Sequence, residues 1–236
     1  MTSTWKWAYA RFHSRSTPML ETTKELEELS REIRRTASPE RLQANAQTIS
    51  DLLASGLSAS ALREGDVAPD FSLPDARGHV VALKTLLDRG PVVISFYRGG
   101  WCPFCNLELR GLQRVLPEIA QMGASLVAIS PQLPDNSLST QEKNQLTFPV
   151  LSDVGNIEAK RFGIVFTLPT ALVDANRAIG RELVEINGET GAAQLPMPAT
   201  FVLDKSGVIR LAFVEEDWSK RLDPDIVIDT LRGLGK

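Results

Sequence analysis

Cys102 and Cys105 are the only cysteines in 236 residues, and they are separated by Pro103 and Phe104. Ahead of them an apolar, β-branched run, Val92, Val93 and Ile94 with Phe96 and Tyr97, predicts a buried strand. Behind them Leu107, Leu109, Leu112 and Leu116 predict an amphipathic helix that opens at Pro103. Gly99 and Gly100 form the turn between the two. Cys102 is therefore expected at a helix N-terminus, where unpaired N–H groups and the macrodipole favour a thiolate over a thiol. Pro103 suits the first helical position, and Cys105, one turn on, faces the same side as Cys102. That arrangement points to thiol redox chemistry.

The neighbouring residues sharpen this reading. Arg98 adjoins the turn and is a candidate to stabilise a thiolate or orient a peroxide, while Trp101 and Phe104 flank the sulfurs and are candidates to shield them or contact a partner. No histidine neighbours the cysteines, so activation has to come from the helix terminus, the turn amides and nearby arginines. His13 and His79 complete an arithmetical Cys2His2 set, but both lie upstream of the cysteines, the wrong spacing for zinc, and no metal is assigned. No G-x-G-x-x-G string is present, and no cofactor is implied.

Composition bounds the setting of this chemistry. Hydrophobic residues make up 43% and charged residues 23%, with a formal charge of −3, which is the make-up of a globular domain rather than a nucleic-acid binder. A single C-x-x-C without a secretory signal points to a reducing compartment, taken as the cytoplasm. No apolar run reaches the length of about 20 residues that spans a bilayer, so no membrane partner is expected. Residues 1–18 carry Lys6, Arg11 and Arg15 without an acidic residue and are read as a flexible leader or a targeting segment.

Residues 19–64 are expected to form a helical extension. Thr22 and Glu25 make a capping box for a helix ending near Thr36, and Ser38-Pro39-Glu40 starts a second that Gly56 stops. Their apolar stripes should pack on the domain or on a second subunit. From residue 65 the pattern reads as a hairpin around residues 75–78, the cysteine strand and helix, and a parallel apolar strand at 125–130. A polar helix is expected at 139–146 with Thr140 and Lys143 outward, then a strand at 148–151 and a helix capped at Ser152-Asp153. Residues 168–179 are read as helix, 199–204 and 208–214 as an antiparallel hairpin, and Asp223-Pro224 as the start of a last helix.

The order of these parts and four strings, GDVAPDFSLPDARG, FYRGGWCPFC, FPVLSDVGNIEAKRFGI and PATFVLDKSGVIR, resemble the peroxiredoxins of the alkyl hydroperoxide reductase and thiol-specific antioxidant family. The resemblance implies a thioredoxin-like α/β fold over residues 65–236, with a central mixed sheet flanked by helices. It implies a thiol-dependent peroxidase in which Cys102 becomes a sulfenic acid and Cys105 closes a Cys102–Cys105 disulfide, recycled by thioredoxin or a similar dithiol donor. A homodimer is the assembly it suggests. Family sites usually carry Thr or Ser three residues before the reactive cysteine and an Arg ahead of the closing strand. Here those places hold Gly99 and Pro198. Both departures, and the turn Trp101-Cys102-Pro103-Phe104-Cys105, resemble thioredoxin, in which a cis proline precedes the closing strand. Pro198 is the candidate for that proline, and a thiol-disulfide oxidoreductase acting on protein disulfides is the alternative function.

Overall fold

A computed structural model describes residues 21–190 and 193–235; the leader at 1–18 and His13 lie outside them. Two helices come first, α1 (Glu21–Thr36) and α2 (Pro39–Ser55). Ser38 caps α2 by accepting from the Arg41 N–H, and Gly56 ends it at φ 66°, a conformation that suits glycine. Thr22 is not the cap that the sequence suggests. It lies inside α1, buried, and its hydroxyl accepts from Arg114 Nη2 at 2.9 Å, so tertiary contact takes the residue that local pattern assigns to capping.

The hairpin β1 (Ser72–Pro74) and β2 (Val80–Ala82) and the short helix α3 (Leu83–Leu87) lead to β3 (Val92–Phe96). From β3 the chain turns into α4 (Pro103–Gln121) and returns as β4 (Ser125–Ser130), parallel to β3 in the register Val92 to Ser125. Next come α5 (Pro134–Lys143), β5 (Val150–Ser152) and α6 (Ile157–Arg161). An overlying segment follows, made of β6 (Val165–Thr167), α7 (Thr170–Arg177), α8 (Leu183–Asn187) and β7 (Gln194–Pro196). The chain closes with β8 (Ala199–Leu203), β9 (Ile209–Val214) and α9 (Pro224–Leu234). The main sheet has the order β5-β4-β3-β8-β9, with β3 and β8 antiparallel, a mixed sheet as expected.

Alternation along the strands fixes what covers each face. Phe96 and Phe201 point to one face and pack with Phe162, at centroid distances of 4.9 and 5.1 Å. Thr200, one position from Phe201, points to the other face and donates to Glu108 of α4. The helices α4 and α9 pack together on that face. The cysteine-bearing helix is thus held against the central strands on one side. On its other side lies α1, whose Glu25 pairs with Arg114 at 2.9 Å and whose Thr22 lies against Gly111, where a Cβ would press on it. The N-terminal stripes pack on the domain, α1 on α4 and α2 on α7.

The polar helix starts earlier than expected. Pro134 takes the first helical position of α5, and the helix ends at Lys143 rather than reaching Leu146. Thr140 faces inward, 3% exposed, because the cysteine turn packs on it. Asp153 caps α6 without being its N-cap residue, which is Asn156, so the helix starts later than expected. The Asp153 carboxylate accepts from the backbone N–H groups of Glu158 and Ala159.

Candidate redox site

Cys102 occupies the N-cap position of α4 with an extended backbone, φ −89° and ψ 114°, and Pro103 follows at the first helical position. The turn that delivers it is closed by the Cys102 N–H donating to the Gly99 carbonyl at 3.0 Å. Gly99 has φ 144°, and a Cβ there would run into the Trp101 indole. Gly100 is pressed against Thr140 in the same way, and its N–H donates to Gln132 Oε1 at 2.8 Å. Asn106 Nδ2 donates back to the Gly100 carbonyl at 2.9 Å. The glycines are therefore required by close approach on both sides of the turn, which explains why no hydroxyl-bearing residue stands at position 99.

Both sulfurs are reduced and buried, Cys102 at 2% exposure and Cys105 at 0%. A hydrogen bond from the Cys105 thiol holds the Cys102 pKa well below the ordinary thiol value. The positive charges of Arg98 and Arg221 act in the same sense and outweigh burial, which opposes them. Burial raises Cys105 instead, and its hydrogen bond to the Cys102 sulfur and the Cys102 charge raise it further. The pair is thus polarised: Cys102 holds the negative charge and Cys105 the proton.

Two buried cations enforce that polarity. Arg98 is 4% exposed, and its guanidinium carbon lies 5.1 Å from the Trp101 ring and 4.3 Å from the Trp218 ring. No carboxylate pairs with Arg98 among the described residues, and the Cys102 sulfur supplies its counter-charge. Arg221 arrives from the loop before α9. Its Nε donates to Glu108 Oε2 at 2.7 Å, its Nη1 to the Trp218 and Lys220 carbonyls at 2.6 Å each, and its Nη2 to Cys105 Sγ at 3.2 Å. Glu108 is 2% exposed, and burial pushes its pKa up to about 7 despite Arg221. Arg181 of the overlying segment adds a third cation, 5.3 Å from the Trp101 ring. Phe166 stacks on Trp218 at 6.3 Å, which fixes this segment over the site.

Of the residues singled out in the sequence, Arg98, Trp101, Cys102, Pro103 and Cys105 meet here. Pro198 does not behave as expected. None of the described peptide bonds is cis, and Pro198 is a buried trans residue whose carbonyl accepts from the Glu215 N–H at 3.2 Å. The closing strand instead reaches the site through Thr200, whose hydroxyl donates to Glu108 Oε1 at 3.4 Å. His79 is exposed on the β1–β2 hairpin beside Asp75 at 3.3 Å, far in role from the sulfurs. Sequence reasoning missed Glu108, Arg221 and Trp218. A signal existed for Glu108: it sits three residues after Cys105, on the helix face that also buries Leu112. Nothing local marks Arg221.

The AhpC/TSA family model matches residues 65–212. A putative peroxiredoxin of Mycobacterium tuberculosis (strain CDC 1551) is 28% identical over 173 residues, covering 73% of this chain and 98% of its own. The thiol-disulfide oxidoreductase ResA of Bacillus cereus is 31% identical over 133 residues, covering 56% of this chain and 73% of its own. Among solved structures, the peroxidoxin BcpB from Mycobacterium tuberculosis superposes with a TM-score of 0.58 at 26% identity, covering 73% of this chain and 98% of that one.

Proposed function

The chain belongs to the AhpC/TSA family, and on that premise we propose that it is a thiol-dependent peroxidase with Cys102 as nucleophile and Cys105 as resolving thiol. The observation that carries this reading is a buried cysteine pair, Cys102 at the N-cap of α4 and Cys105 one turn on with Arg221 Nη2 3.2 Å from its sulfur, beside the buried Arg98. A thiolate at Cys102 is held by two buried arginines beside a thiol that still has its proton. The Cys102 sulfur attacks one peroxide oxygen, the O–O bond breaks, and the leaving oxygen takes a proton to become water or an alcohol. Arg98 lies against the attacking sulfur and offsets the charge that develops on the oxygens. Cys105 then attacks the sulfenic sulfur, a disulfide forms, and water leaves.

Trp101 and Pro103 shape the site. Trp101 lies close to both Arg98 and Arg181, and Pro103 starts the helix without an unpaired donor. Pro198 keeps only a packing role. The reductant is thioredoxin or a similar dithiol, and the setting is the cytoplasm. No helix among the described residues is long and apolar enough to cross a membrane. Residues 65–236 form the catalytic domain, residues 19–64 a helical extension that braces it and 1–18 a leader, and a homodimer is the assembly.

The test is peroxide consumption coupled to a dithiol donor, compared with Cys102→Ser and Cys105→Ser. Loss of turnover in both, with a sulfenic acid trapped in Cys105→Ser, supports the reading. Consumption no faster than that of a free thiol removes it. A second reading, thiol-disulfide exchange on protein substrates, is favoured by Gly99 and by the similarity to ResA. Fast oxidation by a protein disulfide with slow oxidation by peroxide distinguishes it.

A further inference from the structure

Arg221 has more anions to serve than one guanidinium can neutralise. Its Nε donates to Glu108 and its Nη2 to Cys105, both in a region where water does not reach. Its Nη1 is occupied by two backbone carbonyls, so the guanidinium is fixed in place and cannot follow one partner away from the other. Around Glu108 the remaining polar neighbours are Thr200 from β8 and, by charge, Cys102 at the start of α4. Around Cys105 they are Cys102, Glu108 and, by charge, the buried Tyr97 phenol, with Arg98 as the second cation. A single buried cation faced by two acids favours at most one negative charge between them, because ionising the second adds repulsion without a new partner.

We propose that Glu108 and Cys105 compete for Arg221, which supports at most one negative charge between them, and that this makes Glu108 the positioning residue for the second half of the reaction. The proposal rests on the reading of Cys105 as the resolving thiol and extends it to the order of events. In the reduced protein Cys102 is the anion, and its charge and its hydrogen bond keep the proton on Cys105. Conversion of Cys102 to a neutral sulfenic acid removes both. With Glu108 protonated, Arg221 is then free to stabilise a Cys105 thiolate. That sulfur attacks Cys102, an S–S bond forms, the S–O bond breaks, and water leaves with the thiol's proton. Cys105 is oxidised and the sulfenic sulfur is reduced to the disulfide level. Once the disulfide has formed, Glu108 is the acid left facing Arg221 among the described residues, and it ionises by releasing its proton to solvent. Glu108 acts through Arg221 and is not assigned contact with either reacting atom.

Two measurements test this without peroxide, so a failure of the peroxidase reading leaves them interpretable. The first is thiolate absorbance of Cys105 in Cys102→Ser, with and without Glu108→Gln. Removing the competing acid should lower the Cys105 titration by about one unit, a roughly tenfold gain in thiolate at fixed pH, and Glu108→Asp should restore it. The second uses the native protein. An infrared difference between the dithiol and diamide-oxidised forms at pH 7 should show a protonated carboxyl band that is lost on oxidation. It stands alone if Glu108→Gln does not fold. An unmoved Cys105 titration in a folded Glu108→Gln variant, or an unchanged carboxyl band in the native protein, overturns the proposal.

Discussion

Arg221 Nη2 reaches Cys105 Sγ at 3.2 Å from 116 positions further along the chain. The contact makes the C-terminal loop part of the redox centre, and it means that one side chain carries both structure and chemistry. Arg221→Met should leave Glu108 buried beside an apolar neighbour. Loss of one partner of a buried pair costs about 3–5 kcal/mol, read as a lower denaturant midpoint at pH 8, where Glu108 must be charged or take up a proton. The loss should be smaller at pH 5, where the carboxyl is already neutral.

Arg98 acts on the other sulfur. Peroxide consumption follows the Cys102 thiolate, so its rate should be flat above the lowered Cys102 pKa and fall as pH drops through it. Arg98→Met removes one of the two cations that lower Cys102 while keeping an apolar chain against Trp101 and Trp218. The acid limb of the rate profile should move up by about one unit or more, with a matching shift in thiolate absorbance. Identical profiles would assign the lowering to Cys105 and Arg221 without Arg98.

Restoring a threonine at position 99 should not improve the enzyme. The backbone there is at φ 144°, and a Cβ would overlap the Trp101 indole. Gly99→Thr should destabilise the fold by about 1–3 kcal/mol and lower the peroxide rate. A Trp101→Ala background removes the overlap but not the backbone strain, so only part of the stability should return. Equal stability of wild type and Gly99→Thr in urea would show that the turn can adopt another path.

Glu108 makes stability depend on pH in a direction opposite to that of most carboxylates. Its folded pKa of about 7 lies above the ordinary carboxylate value that the unfolded chain shows, about 4.5. The folded state therefore binds the proton more tightly than the unfolded state. The contribution is fully present below the unfolded value and is lost as pH rises through the folded one. Between pH 4.5 and 7 wild type should lose about 3 kcal/mol relative to Glu108→Gln. Urea unfolding of both proteins across that window checks the sign.

How much of this was legible in the sequence differs between the strand and helix at the cysteines and the residues that surround them. Val92–Phe96 and Pro103–Gln121 follow from local pattern: a β-branched run, two glycines, a proline at the first helical position and leucines at helical spacing. The parallel return at Ser125–Ser130 follows from the same logic. The short pairing of Val165–Thr167 with Gln194–Pro196 was not legible, because each strand has three residues and their pairing is set by what they cover. Thr140 reads as an outward polar residue until the cysteine turn is seen resting on it. Arg221 looks like one surface arginine among many. Its burial depends on Glu108, Trp218 and the sulfurs meeting in space, which no local spacing encodes. Pro198 misled in the other direction. Its position before the closing strand matched a cis proline, whereas the strand's contribution to the site comes from Thr200.

Everything in the site serves a Cys102 thiolate poised to react with peroxide. The most direct test is the single-turnover reaction of reduced protein with hydrogen peroxide at pH 7, followed by tryptophan fluorescence from Trp101 and Trp218, which lie within 5.1 Å and 4.3 Å of the buried Arg98. The account predicts a second-order rate orders of magnitude above that of a free thiol, abolished in Cys102→Ser and retained as a single phase in Cys105→Ser. A rate equal to that of a free thiol would contradict it and leave a disulfide exchanger with a peroxiredoxin's fold.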